Sequence, residues 1–275
     1  MSLHAENGAE HDLPAHPTPR AYLIASHPRS GSSLLARALW DTGRAGRPWE
    51  YFGAVHIAQF HARWRLPHAP APNPAWWDRA VRALRRRLGH RAPTAGERLG
   101  LERWTQEAVR DYVERLVAHR TTENGVFGVK AHHEQVDVLF FRKGLDPAGV
   151  LPDLRVVWIE RRDRVRQAVS LVRARASSRW SADQAGRDEA PYRREAIDDA
   201  LADIQRWDDA WAPWLASRPP VLRLTYEDLT SDWVGTLSKT FDALDLSPPA
   251  RWPEPGQRKQ SDHISEAWVQ RYRAG

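Results

Sequence analysis

The sequence predicts one α/β domain built around a parallel sheet. Three observations lead there: four short apolar runs spread through 275 residues, helix-like patterns after three of them, and no cysteine that would suggest a small cross-linked scaffold. The runs extend from residue 21 to residue 225, so dividing the chain at its midpoint would split the sheet. Residues 20–275 are therefore read as a single domain behind a polar, proline-bearing, flexible tail over residues 1–19.

The four predicted strands are Ala21–Ser26 (AYLIAS), Val126–Lys130 (VFGVK), Leu154–Glu160 (LRVVWIE) and Val221–Thr225 (VLRLT). Between the first two, about residues 53–124, the pattern is that of a helical insertion over the sheet. It contains a break at Pro67, Pro70, Pro72 and Pro74, then an arginine-rich helix predicted over Trp76–Leu88. A stronger helix is predicted over Leu99–His119, with Leu101, Trp104, Ala108, Tyr112 and Leu116 on one face. A long helix at about Tyr192–Ala216 carries Ile197, Leu201, Ile204, Trp207, Trp211 and Trp214 as one stripe. Helical spacing assigns those tryptophans to the core.

Composition excludes several chemistries. Without cysteine there is no disulfide framework, thiolate nucleophile, iron–sulfur cluster or Cys-based zinc site. No apolar run approaches 18 residues, and residues 1–20 lack a secretion-signal pattern, which together predict a soluble, cytoplasmic chain without a membrane span. The twelve histidines show no HExxH or similar spacing, so no metal is expected. The formal net charge is +6, and only four of the 41 basic residues are lysines, a bias that suits phosphate or sulfate and equally a GC-rich genome. Nucleic acid is not an expected partner despite a pI near 9.9, because acids such as Glu102, Glu107, Asp111 and Glu114 interrupt the basic helices and no recognition motif is present.

The sharpest local feature is the junction His27-Pro28-Arg29-Ser30-Gly31-Ser32-Ser33, where a strand runs through a small-residue turn into a helix bearing Leu34, Leu35, Ala38 and Leu39. Such a junction aims backbone N–H groups and a helix dipole at one spot, with serine hydroxyls and the Arg29 charge beside them. It predicts an anion site. It is not a Walker A loop: GxxxxGK[ST] is absent and the loop has no lysine. A second candidate lies at Glu160–Ser170, where a strand ends in Arg161, Asp163 caps the next helix, and Ser170 follows nearly two turns in. Arg161 and Ser170 are placed to face one ligand group, whereas Arg164, Arg166, Arg173 and Arg175 read as a solvated basic face.

Taken in order, PRSGSSLL at 28–35, TGRAGRPWEYF at 42–52, GVFGVK at 125–130, RRDRVRQAVSLVRA at 161–174 and the closing QRKQSD…EAWVQRYR resemble the Stf0 family of bacterial sulfotransferases. The resemblance implies a P-loop-kinase-like three-layer domain with a central parallel sheet. It implies transfer of a sulfuryl group from PAPS (3'-phosphoadenosine-5'-phosphosulfate) to a hydroxyl of a carbohydrate or glycosylated small molecule, with PAP as product and no metal. Arg29, Ser30, Gly31, Ser32 and Ser33 match the loop that holds the 5'-phosphosulfate, and Arg161 and Ser170 match the pair on the 3'-phosphate. Glu50 matches the general base, while Lys259 and Gln260 match a C-terminal donor contact. A homodimer is compatible with this reading. The competing readings are a P-loop-like nucleotide kinase and, with less support, a basic nucleic-acid module.

Around Glu50, the apolar neighbours Trp49 and Tyr51 predict a carboxylate of raised pKa. Trp49 itself departs from the polar or acidic residue associated with that motif. The aromatics Trp49, Tyr51 and Phe52, with Trp64, Trp76 and Trp77, suit the apolar faces of sugar rings; packing of the insertion onto the sheet is the plainer role for the last three. His132 and His133, beyond the second strand, are alternative bases at the carboxyl edge of the sheet.

Overall fold

A parallel sheet of order β2-β1-β3-β4 forms the middle layer of the computed structural model, with β1 at Arg20–Ser26, β2 at Val126–His132, β3 at Arg155–Glu160 and β4 at Leu222–Thr225. The structure describes residues 8–17, 19–69, 99–177, 191–255 and 263–275, together with positions 77, 80, 81, 83, 84, 87 and 96. Each strand lies within a residue or two of its predicted span. β2 runs on to His132 because Ala131 and His132 continue in register with Ala25 and Ser26. Beyond β2, Trp49 forms a single parallel bridge with Val129, and the Lys130 N–H donates to the Trp49 carbonyl at 2.9 Å. That short contact extends the sheet edge by one residue pair and brings Glu50 beside the end of β2.

The period-2 alternation of β1 sorts its side chains onto two cores. Ala21, Leu23 and Ala25 face a cluster that includes Ile57 and Phe60 of α2 (Ala54–Trp64), Tyr112 and Leu116 of α3 (Gln106–Arg120) and Val136 of α4 (His133–Leu139). Tyr22 and Ile24 face the opposite cluster, with Leu35 and Leu39 of α1 (Ser32–Asp41). A third cluster joins α5 (Arg164–Ser177), α6 (Arg194–Ser217) and, near the C-terminus, Trp268 and Val269. On α6 the predicted stripe is confirmed as core: Ile197, Ile204 and Trp211 are buried, and Leu201, Trp207 and Trp214 pack partly buried beside them.

Two expectations are corrected. The helix predicted from Leu99 begins at Gln106 instead, because Trp104 and Thr105 are extended and the Thr105 hydroxyl caps α3 by accepting the Ala108 N–H at 3.2 Å. Leu101 and Trp104 still reach the core, through a 3-10 turn at Leu101–Arg103. Part of the expected flexible tail is tied down: the Leu13 N–H donates to the His119 carbonyl at 2.9 Å, and Asp12 Oδ1 accepts from the fully buried Arg120 at 2.8 Å. Most of the helix predicted over Trp76–Leu88, Trp76 included, lies outside the described residues. Among the described residues no helix is long and apolar enough to cross a membrane.

Arg120 is stacked over Phe60 and Tyr51, with 5.1 and 5.8 Å to the ring centroids, and also donates to the Gly8 carbonyl. Removing the carboxylate that neutralises a buried guanidinium is strongly destabilising. Asp12→Ala is expected to lower unfolding free energy by about 3 kcal/mol, read as a lower urea midpoint. A midpoint equal to that of the parent chain would show that the carbonyl and aromatic contacts suffice.

Candidate functional site

The carboxyl ends of β1, β2 and β3 are neighbours, and three groups of side chains meet there. The first belongs to the turn between β1 and α1. Its conformation depends on two positive φ values, 65° at Arg29 and 90° at Gly31. A Cβ on Gly31 would stand 2.7 Å from the Tyr226 ring, so glycine is needed there for both backbone and space. No serine side chain caps α1; Gly31 occupies the N-cap, which leaves the first-turn N–H groups directed at the site. Ser30 is buried, and its hydroxyl has no hydrogen-bond partner among the described residues. The turn is clamped from behind: Gln167 Nε2 donates to the Pro28 carbonyl at 3.0 Å, and His27 Nε2 lies 2.7 Å from Asp208 Oδ1.

The second group follows β3. Asp163 caps α5 as predicted, accepting the Arg166 N–H at 3.1 Å. Because β3 pairs directly with β1, the two predicted anion sites merge, and Arg29 Nε donates to Ser170 Oγ at 2.9 Å. The Arg161 guanidinium lies over the Tyr226 ring, 4.5 Å from its centroid, with a buried Nε that has no hydrogen-bond partner among the described residues. Burial, then the Arg161 charge, pushes the Arg29 guanidinium down to about 10. Burial likewise lowers Arg161, opposed by Tyr226, Glu227 and Asp163. Glu227, at the start of α7 (Tyr226–Ser231), braces this turn by accepting the N–H groups of Arg162 and Asp163 at 3.0 and 3.2 Å. The expected basic face of α5 is instead spent on structure: Arg164 pairs with Glu160 and Asp208, Arg166 with Asp163 and Glu266, and Arg175 with Asp203, while Arg173 donates to Ser265.

The third group centres on Lys130, which sequence reasoning missed. It is one of only four lysines and closes a buried strand motif, and these were the available signals. Its ammonium donates to Ser33 Oγ at 2.9 Å and to Glu50 Oε1. A lysine absent from the loop is thus supplied by the neighbouring strand. Glu50 Oε2 accepts from Gln135 Nε2 at 3.1 Å, a second partner that sequence reasoning did not find. The raised pKa expected for Glu50 is overturned: burial does push it up, but the Lys130 and His132 charges and the hydrogen bonds from Lys130 and Gln135 together hold it well below the usual carboxylate range.

His132 Nδ1 lies 3.1 Å from the Ser26 hydroxyl and 3.3 Å from the Ser26 carbonyl, and Nε2 lies 3.9 Å from Glu50 Oε1. Burial foremost lowers its pKa to about 4. His133 packs between Phe141 and Trp211, with centroids at 5.8 and 5.3 Å. Of the predicted sugar-facing aromatics, Tyr51 and Phe52 are fully buried against Phe127 and Phe140, and Trp64 stacks on Phe60 at 4.5 Å. These are packing residues, since each ring face is already covered. Half-buried Trp49 contacts Trp40 and His56 edge-on. Lys259 and Gln260 lie outside the described residues.

Known proteins match the chain over nearly its whole length. The model of the family described as Stf0 sulphotransferase matches residues 21–275. The trehalose 2-sulfotransferase of Mycolicibacterium smegmatis is 29% identical, covering 94% of this chain and 95% of its own length. That of Mycobacterium tuberculosis is 27% identical, covering 93% of this chain and 95% of its own length. A solved structure, the sulfotransferase domain of the Synechococcus PCC 7002 olefin synthase, aligns over 95% of this chain and 90% of its own with a TM-score of 0.47 at 16% identity. With nearly all of the described chain inside the family match, from β1 to the C-terminus, the protein belongs to the Stf0 sulphotransferase family.

Proposed function

We propose that this sulfotransferase moves the sulfuryl group of PAPS onto a hydroxyl of a carbohydrate or glycosylated small molecule. The observation that carries the reading is the Arg29–Ser170 hydrogen bond, which joins two turns whose Ser30 hydroxyl and Arg161 Nε have no hydrogen-bond partner among the described residues. Two desolvated guanidiniums beside open donors fit a ligand with anionic groups at two points, as PAPS has. Arg29, Ser30, Gly31, Ser32 and Ser33 would take the 5'-phosphosulfate, and Arg161 and Ser170 the 3'-phosphate. The family favours sulfuryl over phosphoryl transfer, and the names of the two mycobacterial relatives favour a sugar hydroxyl as acceptor.

In this reading the acceptor oxygen attacks sulfur, the bond from sulfur to the phosphate oxygen breaks, PAP departs, and the hydroxyl proton passes to Glu50. Arg29, Lys130 and the amides of the α1 terminus are the charges available to offset the negative charge gathering on the leaving group. A carboxylate of low basicity suffices as base if the transition state is loose, as for phosphoryl transfer, because the attacking hydroxyl becomes strongly acidic only once its bond to sulfur has formed.

Arg161→Ala is expected to weaken PAP binding about ten- to a hundredfold, the worth of one charged hydrogen bond, while leaving adenosine 5'-phosphosulfate binding nearly unchanged in calorimetry. Equal losses for both ligands would assign Arg161 a structural role. Glu50→Gln keeps the side-chain shape, and kcat is expected to fall by about 10²–10⁴ with PAP affinity retained. Some thermal stability should be lost as well, since Lys130 then lacks its counter-charge. Near-normal turnover would remove Glu50 from the chemistry.

A further inference from the structure

Gln135 is the third residue of α4, and its amide makes two bonds at once. The His132 N–H donates to Gln135 Oε1 at 3.0 Å, and Gln135 Nε2 donates to Glu50 Oε2 at 3.1 Å. These bonds fix the amide without ambiguity. A backbone N–H can only donate, so the amide oxygen must face His132, and the amide nitrogen is thereby turned to Glu50. Gly53 lies close by: a Cβ there would stand 3.1 Å from both the Glu50 carbonyl and the His56 ring, and at ordinary contact distance, 3.4 Å, from Gln135 Nε2.

The other carboxylate oxygen of Glu50 already faces Lys130 Nζ and, at 3.9 Å, His132 Nε2, both from β2. From α1, Ser33 reaches the cluster through Lys130, and from α2, His56 packs on Trp49 beside it. With one oxygen committed to a cation, the rotation of the carboxylate plane is set by whatever holds the other.

We propose that Gln135 is a positioning residue of the transfer reaction: it fixes the rotation of the Glu50 carboxylate and gives its second oxygen a neutral donor, while anchoring that donor to the start of α4. This inference rests on the reading of Glu50 as the proton acceptor. A neutral donor aligns the carboxylate without adding a second cation to Lys130, and so leaves lone pairs for the acceptor hydroxyl.

The test compares Gln135→Glu and Gln135→Leu in the full chain with saturating PAPS. Glutamate retains an acceptor for the His132 N–H, as either Glu or Gln serves at this capping position, but sets a second carboxylate against Glu50. Two carboxylates sharing a site raise the apparent pKa of the pair above the depressed range Glu50 has in the parent, so an acidic limb that the parent lacks at mildly acid pH should enter the kcat profile. Activity is then lost at a higher pH than in the parent, because the carboxylate that must accept the proton is already protonated there. Gln135→Leu should lower kcat about ten- to a hundredfold with PAP affinity unchanged.

A Gln135→Glu enzyme with the parent pH profile would overturn the proposal even if the leucine variant failed to fold. The two readings fail separately. Normal turnover in Glu50→Gln removes the base assignment, whereas an inactive Glu50→Gln beside an unshifted Gln135→Glu profile removes only the role of Gln135.

Discussion

Burial of the Lys130 ammonium constrains the whole carboxyl edge of the sheet. Taking such a charge out of water costs several kcal/mol unless it is paired and hydrogen-bonded, and Lys130 is only 2% exposed. Its two partners come from opposite sides. Ser33 lies in the first turn of α1, after the turn at Arg29–Gly31, and Glu50 follows the Trp49 bridge beyond the sheet edge. One buried cation therefore fixes the start of α1 against the Glu50 carboxylate. The distance between those two sides is set by a strand of the sheet, β2, rather than by loop packing.

The arginines divide by the same electrostatic logic. On α5, Arg164, Arg166 and Arg175 meet carboxylates of α6, of the C-terminal helix or of their own turn, and their charge is consumed in holding helices together. Burial, then the Arg161 charge, instead lowers the proton affinity of Arg29, burial foremost lowers that of Arg161, and the two share Tyr226 as a neighbour. Two desolvated like charges cost folding energy. Glu227 and Gln167 brace the two turns from behind, so the positions of both cations are set by the fold.

What the sequence revealed follows from how local each signal is. The strands were legible because buried parallel strands are continuous apolar runs, and the turn at Arg29–Ser33 because its donors are contiguous in the chain. The meeting of Arg29 with Ser170, 141 residues apart, was accessible only through a family resemblance, since no spacing rule predicts which strands become neighbours. Lys130 and Gln135 were missed for a different reason. Each looks ordinary alone, one at the end of a strand and one in the first turn of a helix, and acquires its role only when the Trp49 bridge brings Glu50 between them. The error over Glu50 has the same origin: its sequence neighbours are apolar, but its spatial neighbours are a cation and an amide. The helix begun too early at Leu99 shows the converse, a periodic run of buried residues that the Thr105 cap interrupts.

The aromatic residues around Glu50 also have a consequence for its precision. Tyr51 and Phe52 are sealed in the core, with the Tyr51 hydroxyl donating to the Arg47 carbonyl at 2.6 Å and accepting no ligand face. On the other side, the Trp49 carbonyl is held by the Lys130 N–H. The backbone at Glu50 is therefore pinned on both flanks, and only side-chain rotation remains free. Lys130 and Gln135 remove that freedom, one oxygen each. The orientation of the carboxylate is thus fixed on folding, by the aromatic residues that hold its backbone and by the two partners of its oxygens.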